Sequence, residues 1–473
     1  MRRNATSRAD VSCIEKVRKE SKKGGKAMTA AIDTSAALLA AAAHPLEGGP
    51  GDYDALLKLV GDARFVLLGE ATHGTHEFYA ERARITQRLI REKGFTAVAV
   101  EADWPDAYRV NRYVRGEGAD ADADAALSGF ERFPAWMWRN ADIVHFADWL
   151  RAHNAAVRAG PRVGFYGLDL YSLFTSVREV LNYLDRVDPV AAEQARRRYA
   201  CFDHYDEDSQ HYGYATGIGM SESCQQGVLA QLQELQQRAF DYMQGGGIAS
   251  EDAFFYAQQN ARLVKNAEEY YRTMFRGRVS SWNLRDSHMA ETLDALTRHL
   301  SREGEPAKIV IWEHNSHIGD ARATTMREMG EFNVGELARK AYPGQTCLIG
   351  FSTFEGHVTA ASEWDGPAER KRVRPGMAGS YEELLHHVGL DRFYLNLRDD
   401  GSVRRLLLEQ RLERAIGVLY LPRSERQSHY FQACLAEQFD AIIHIDRSEA
   451  LLPLDATSGW HSGEPPETYP EGI

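Results

Sequence analysis

Seven short runs of mostly apolar residues punctuate the chain: Arg64–Gly69 (RFVLLG), Thr96–Val100 (TAVAV), Arg162–Gly167 (RVGFYG), Lys308–Trp312 (KIVIW), Cys347–Ser352 (CLIGFS), Ile416–Leu421 (IGVLYL) and Ala441–Ile445 (AIIHI). Continuous apolar runs of this length predict strands buried on both faces, as in a parallel sheet. Over Thr75–Lys93, Phe78, Ile85, Leu89 and Ile90 recur at helical spacing, and Gly94 stands where a helix stop is expected. Strand, helix, strand implies a right-handed crossover. From Tyr171 to Leu300 the pattern changes to long helical stretches, Gln225–Met243, Asp252–Phe275 and Ser281–Leu300, broken at Gly245–Gly247. The expected fold is α/β, a mostly parallel central sheet flanked by helices, with a large helical insertion over the C-terminal ends of the strands. Residues 31–170 and 301–455 would be the two parts of the α/β catalytic domain and 171–300 the insertion. Residues 1–30 read as a disordered extension, basic over Met1–Lys26 and running up to a second methionine, Met28; residues 456–473 read as a tail. The Ala/Asp alternation Gly118–Ala126 reads as a loop.

Composition narrows the class. With 473 residues, 44% hydrophobic and 26% charged, the chain is an ordinary globular one. Its net charge of −12, with basic residues interspersed among acids, argues against nucleic acid as a partner. Cys13, Cys201, Cys224, Cys347 and Cys434 lie far apart, odd in number and without a CxxC pair, so neither a zinc knuckle nor a disulfide framework is expected. No run approaches the ~18 apolar residues that span a bilayer. The expectation is a cytoplasmic protein without a membrane partner.

The chemistry lies at strand ends. Glu70 follows RFVLLG, Glu101 follows TAVAV, Asp169 follows RVGFYG, and Glu313 with His314 follows KIVIW. Ligands bind outside the carboxyl ends of parallel strands, where loops and helix N-termini converge, so these groups are expected to meet. An acid after a strand also caps the next helix, and that reading holds for any one of them alone. Four in the same position, two accompanied by histidines, favour a site. GEATHGTHEF (Gly69–Phe78) sets His73 and His76 around a turn, and EHNSHIGD (Glu313–Asp320) sets His314 and His317 three apart. Such pairs can serve as general bases, oxyanion donors or metal ligands. No GxSxG elbow, P-loop or GxGxxG occurs. Ser172 and Ser352 follow strands without elbow context, and a helix-capping role is expected for both.

GEATHGTHEF, EAD (Glu101–Asp103), FYGLDLYSLF (Phe165–Phe174) and WEHNSHIG (Trp312–Gly319), in this order, resemble the erythromycin esterase family, as do NLRDSHMAET (Asn283–Thr292), SEWDGPAERKRVRPG (Ser362–Gly376) and SERQSHYF (Ser424–Phe431). The resemblance runs from about Arg64 to Leu454 and is closest to the family's large bacterial branch of unknown substrates. It implies a catalytic set of Glu70, His73, Arg82, Glu101, His314 and His317. Arg82 enters on resemblance alone, about two turns into the helix after His73, with a structural ion pair to an acid such as Glu101 as its alternative role.

The implied activity is hydrolysis of an ester or macrolactone, as in macrolide resistance, by water that His73 activates. Glu70 or Glu101 would orient the imidazole, and His314, His317 or Arg82 would receive the oxyanion. His76, Asp169, Arg285 and the aromatics Trp104, Phe133, Trp136 and Trp138 are candidates for substrate binding; the aromatics serve equally well as core. No metal or other cofactor is implied. The rival readings are a metal-dependent hydrolase built on the same His and Glu groups, and a non-catalytic binder that keeps the cleft.

Overall fold

A computed structural model describes residues 34–462, apart from 159, 206–207, 218, 244–247, 302–304 and 400. The N-terminal extension up to residue 33, Gly245–Gly247 and the last eleven residues of the tail therefore lie outside the described residues. Eleven strands are described: β1 (His44–Pro45), β2 (Phe65–Leu68), β3 (Ala97–Asp103), β4 (Gly164–Asp169), β5 (Ile309–Trp312), β6 (Thr346–Ala360), β7 (Glu369–Val373), β8 (Arg392–Asn396), β9 (Arg411–Arg414), β10 (Tyr430–Ala433) and β11 (Ala441–Ser448).

The central sheet runs β1-β8-β11-β6-β2-β5-β3-β4, with β7 paired to β6, while β9 and β10 form a separate pair. From β11 to β4 every neighbouring pair is parallel; β8, β1 and β7 are joined antiparallel. The sheet is thus mostly parallel and flanked by helices, as the apolar runs predict. Placement of β5 between β2 and β3 matters most, because it inserts the WEHNSH segment between the ends that carry Glu70 and Glu101.

The parallel strands are buried on both faces. Val66, Leu68, Val98, Val100, Val310 and Trp312 pack against the helices His76–Lys93, Trp104–Arg115 and Ala141–Ala156. Phe65, Leu67, Ala97, Ala99, Ile309 and Ile311 pack against the helical segment, chiefly Leu173–Val187, Ile248–Thr273 and Arg278–Leu300. Alternation of side chains along each strand sends the two sets to opposite faces. The helix after β2 runs from His76 to Lys93 and stops at Gly94, whose φ of 69° a side chain would strain.

Several expectations change. Ile416–Leu421 is not a strand: Ile416 and Leu419 make isolated bridges to Thr72 and Ala361, and Ile416 and Tyr420 fill a small cluster with Val358, Ala360 and Val373. An apolar run therefore marked burial without a ladder. The loop Gly118–Ala126 contains the start of a short helix, Ala123–Leu127, capped by Asp122. Ser352 caps no helix; it lies inside β6 with its Oγ 3.3 Å from His444 Nδ1. Ser172 precedes a helix, but its side chain accepts no capping hydrogen bond. Cys201 and Cys224 form a disulfide, Cα atoms 5.8 Å apart. Their spacing carries no signal because helix packing, not proximity in sequence, brings them together.

Candidate active site

Glu70 begins the loop that leaves β2, and its main-chain oxygen accepts the Asn315 N–H at 2.8 Å, which ties this loop to the one after β5. Two glycines allow the close packing. A Cβ at Gly69 would lie 2.1 Å from Asn315 Oδ1, and one at Gly74 would lie 1.8 Å from the Thr359 carbonyl oxygen. With Gly74 pressed on β6, its own oxygen accepts from the Thr359 and Leu451 N–H groups, both at 2.9 Å. The turn that carries His73 is therefore held on both sides.

The His73 Nδ1–H donates to Glu70 Oε1 at 2.8 Å, which leaves Nε2 as the nitrogen with a lone pair. The other Glu70 oxygen lies 2.6 Å from Arg82 Nη2, an ion pair by distance whose angle falls outside hydrogen-bond geometry. Arg82 is 1% exposed, its guanidinium over the rings of Tyr79 at 4.4 Å and Trp312 at 5.1 Å. It thus pairs with Glu70, not Glu101, and sits behind the site. Tyr79 donates its O–H to the His73 carbonyl at 2.9 Å.

A register shift between Val100 and Asp103 interrupts the β3–β4 ladder at the end of β3, and irregularities of this kind re-aim side chains beside sites. One Glu101 oxygen accepts the His314 N–H at 2.8 Å; the other accepts from Arg285 Nη2 at 2.7 Å. Burial would raise the Glu101 pKa, but His317, Arg285 and His73 hold it well below the usual carboxylate range. Asp169, ending β4, takes Arg285 at both oxygens, 3.0 and 2.7 Å. Its carboxyl is likewise lowered against burial, chiefly by Arg285.

Each histidine after β5 has its own environment. His314 Nδ1 accepts the Ser316 N–H at 3.2 Å, capping the short helix Asn315–Ile318, and its ring stands 4.8 Å from that of His73. Burial, followed by the nearby His73, lowers its pKa well below the ordinary value, so it is neutral. His317 donates Nδ1–H to Asp286 at 2.9 Å, accepts from Arg285 Nη1 at Nε2 at 3.1 Å, and stacks on Trp282 at 4.5 Å. Burial opposes its charge, yet Asp286 and Glu101 raise its pKa overall. Accepting from Arg285 requires the neutral ring; protonation would exchange that partner for Glu101, whose oxygen lies 3.5 Å away. Glu313, beneath them, has both carboxyl oxygens buried without a partner. Burial, then Glu101 and Asp286, raises its pKa well above the ordinary carboxylate range.

Glu70, His73, Arg82, Glu101, Asp169, Arg285, His314 and His317 therefore form one connected group at the carboxyl ends of β2, β5, β3 and β4. A cleft of about 200 Å³ opens onto it, walled by His73, Glu101, Asp169, Arg285, Trp138 and Phe133 among others. Trp138 also donates its Nε1–H to the Glu101 carbonyl oxygen.

These observations meet those from comparison with known proteins. Residues 90–448 match the description "Erythromycin esterase". The chain belongs to the erythromycin esterase family. It is 22% identical over 435 residues to erythromycin esterase type II of Escherichia coli, covering 86% of this chain and 94% of that one. The solved structure of a Bacillus cereus protein superposes with a TM-score of 0.75 at 23% identity, covering 89% of this chain and 99% of that chain. A variant of the erythromycin esterase EreC in its open conformation gives 0.61 at 16% identity, over 84% and 94%. Both structures share the fold, and membership supports an esterase or hydrolase role.

In this erythromycin esterase family member, three of the substrate-binding candidates lie away from the cleft. His76 is half-exposed at the start of its helix, 2.8 Å from Asp142. Trp104 is buried among Tyr108, Tyr166 and Phe255, and Trp136 is buried in the core on the other face of the sheet. Both aromatics serve as core, the alternative role set out above.

Asp103, Asp106, Arg132, Tyr171 and Trp364 line the cleft without having been singled out. Asp103, Tyr171 and Trp364 sit inside the recognised EAD, FYGLDLYSLF and SEWDGPAERKRVRPG segments; Arg132 comes from a loop whose sequence shows no periodicity. Asp286, which holds His317, follows Arg285 directly in NLRDSHMAET. Among the described residues, no group of three or more His, Cys, Asp or Glu side chains is arranged to hold a metal ion.

Proposed function

We propose that the protein hydrolyses a carboxylic ester or lactone by direct attack of water, with His73 as general base. The observation that carries this reading is the 2.8 Å bond from His73 Nδ1 to Glu70. It fixes the tautomer, and of the Glu70–His73–Arg82 unit only His73 lines the cleft. A buried carboxylate behind an imidazole also stabilises the imidazolium that forms when the water's proton is taken, as in hydrolytic triads. Arg82, paired with the other Glu70 oxygen, holds that carboxylate in place.

Attack places negative charge on the carbonyl oxygen, which needs a donor already in position. Arg285 suits this role better than Arg82, His314 or His317, because it faces the cleft and they do not. Four of its hydrogen bonds are committed, to Asp169, Glu101 and His317. A guanidinium has five N–H groups, so one, on Nη1, is left for the oxyanion. Asp169 and Glu101 hold that fork rigid.

The test is turnover of a panel of simple esters and lactones, erythromycin included, by the wild type and His73→Ala. The expected result is hydrolysis by the wild type and loss of at least ~10³-fold in the variant, whose folding is unchanged by circular dichroism. Retention of most activity would remove His73 from the base role. Absence of turnover across the panel would favour a binding protein.

A further inference from the structure

Asp106 borders two cavities. On one side is the cleft with His73; on the other is a groove of about 1210 Å³ between the helices Trp104–Arg115 and Leu173–Val187 and the start of Ile248–Thr273. Among the described residues, Asp106 is the one that lines both. Its near neighbours are already engaged: Arg132 gives both Nε and Nη2 to Asp103, at 3.1 and 3.0 Å, and Arg109 is paired with Asp120 at 2.6 Å. Asp106 itself makes no hydrogen bond or ion pair among the described residues.

We propose that Asp106 donates a proton to the departing alcohol of the ester, and that the groove beyond it holds this alcohol, a large hydroxyl-rich group. The proposal rests on the esterase reading above and deepens it. The bond between carbonyl carbon and water oxygen forms as the water's proton passes to His73; the bond between carbonyl carbon and alcohol oxygen breaks as that oxygen takes the proton of Asp106. Solvent then returns the proton from His73 to Asp106, so the cycle closes without a further reagent.

Three features support this. First, the cleft with His73 is small enough for a short acyl group, whereas the groove is some six times larger. Second, the groove presents the stacked pair Tyr108 and Tyr256, ring centroids 4.1 Å apart, beside Asn182 and Glu179. Its charges are of both signs and cancel in part, as in Arg115 with Asp252 at 3.2 Å. Aromatic faces bordered by amide and carboxylate groups suit a neutral, hydroxylated ligand better than an ion. Third, Asp106 is held as an acid: burial, then the charge of Asp103, raises its pKa to about 8, with Glu131 adding to this and Arg132 and Arg109 opposing it. Across the cleft it faces Asp169 with Arg285, whose charges pair off, and across the groove Glu179, Asp185, Arg186 and Asp252.

The experiment compares Asp106→Asn with wild type on acetate esters of falling leaving-group acidity, from 4-nitrophenyl to a hexose acetylated at one hydroxyl to ethyl. 4-Nitrophenolate leaves without a proton, so its kcat should change less than about 3-fold, while kcat for the alkyl and hexose esters falls ~10²-fold or more. Equal losses on all three, or none, overturn the donor role. Infrared difference spectra of wild type against the variant should show a protonated carboxyl at pH 7; an ordinary carboxylate there overturns the donor role independently of turnover. Tyr256→Ala should raise KM for the hexose ester and leave that for ethyl acetate unchanged; equal KM values place the alcohol elsewhere. If the wild type turns over none of these esters, the esterase reading falls and the donor role with it.

Discussion

Arg82→Met tests the deepest part of the site. The guanidinium is 1% exposed, its Nη2 lies 2.6 Å from a Glu70 oxygen, and the same carboxylate is 2% exposed. Methionine fills most of the volume between Tyr79 and Trp312 but leaves Glu70 as a buried charge without its countercharge. Breaking a buried pair in this way costs about 3–5 kcal/mol, far more than the pair contributes relative to an apolar replacement. A thermal shift reads this poorly, since ~2.1 cal/mol/K per residue makes 1 kcal/mol only about 1 °C in a chain of this length. Urea unfolding, read as a change in midpoint at constant slope, is the suitable assay. The companion is Glu70→Gln with Arg82→Met: with the charge removed as well, the double variant should regain about 1–3 kcal/mol over the sum of the single losses. A single variant within ~1 kcal/mol of wild type, or a strictly additive double, would refute the view that Arg82 serves to neutralise Glu70.

Three further outcomes are expected. Gly74→Ala should unseat the His73 turn, because its Cβ would meet the Thr359 carbonyl at 1.8 Å; both activity and urea midpoint should fall, and a wild-type midpoint would show that the turn is not pinned there. His288, buried and accepting from Asn266 at 2.8 Å, has a pKa lowered to about 4, chiefly by burial. The unfolded chain, at ~6.5, therefore binds the extra proton, so stability declines as pH falls from 6.5 toward 4, by roughly 2–3 kcal/mol at pH 4.5; His288→Gln should flatten urea midpoints over that range, and an unchanged slope would contradict this. Cys201→Ser opens a loop closed over a separation of 23 residues, expected to lower stability by about 3 kcal/mol on the chain-entropy estimate; equal stability of oxidised wild type and variant would count against it.

Much of the architecture could be read without coordinates. Apolar runs of four to six residues predict strands because only a sheet covered on both faces buries such segments completely, and β2, β3, β4, β5, β6 and β11 lie where those runs stand. Edge strands were invisible for the complementary reason: β1 is two residues long, β7 and β9 are mostly charged, and β10 (YFQA) is a four-residue, half-buried segment, so their pairing comes from neighbours instead of burial. Ile416–Leu421 shows the reverse error, an apolar run that buries Ile416 and Tyr420 without a ladder.

The same division runs through the site. Residues at the ends of parallel strands converge by topology, so Glu70, Glu101, Asp169 and His314 could be selected from their positions in the chain. Strand order could not be selected in that way. It alone sets β5 between β2 and β3, giving His314 its hydrogen bond to Glu101 and Asn315 its bond to the main chain of Glu70. Tertiary packing also decided which charges pair: Arg82 behind Glu70, Arg285 across Asp169 and Glu101, Asp286 under His317. The pattern of side chains determined which groups reach the end of the sheet, because strand period and burial are local properties. Their partners and protonation depend on distances between segments far apart in the chain, which exist only once the chain has folded.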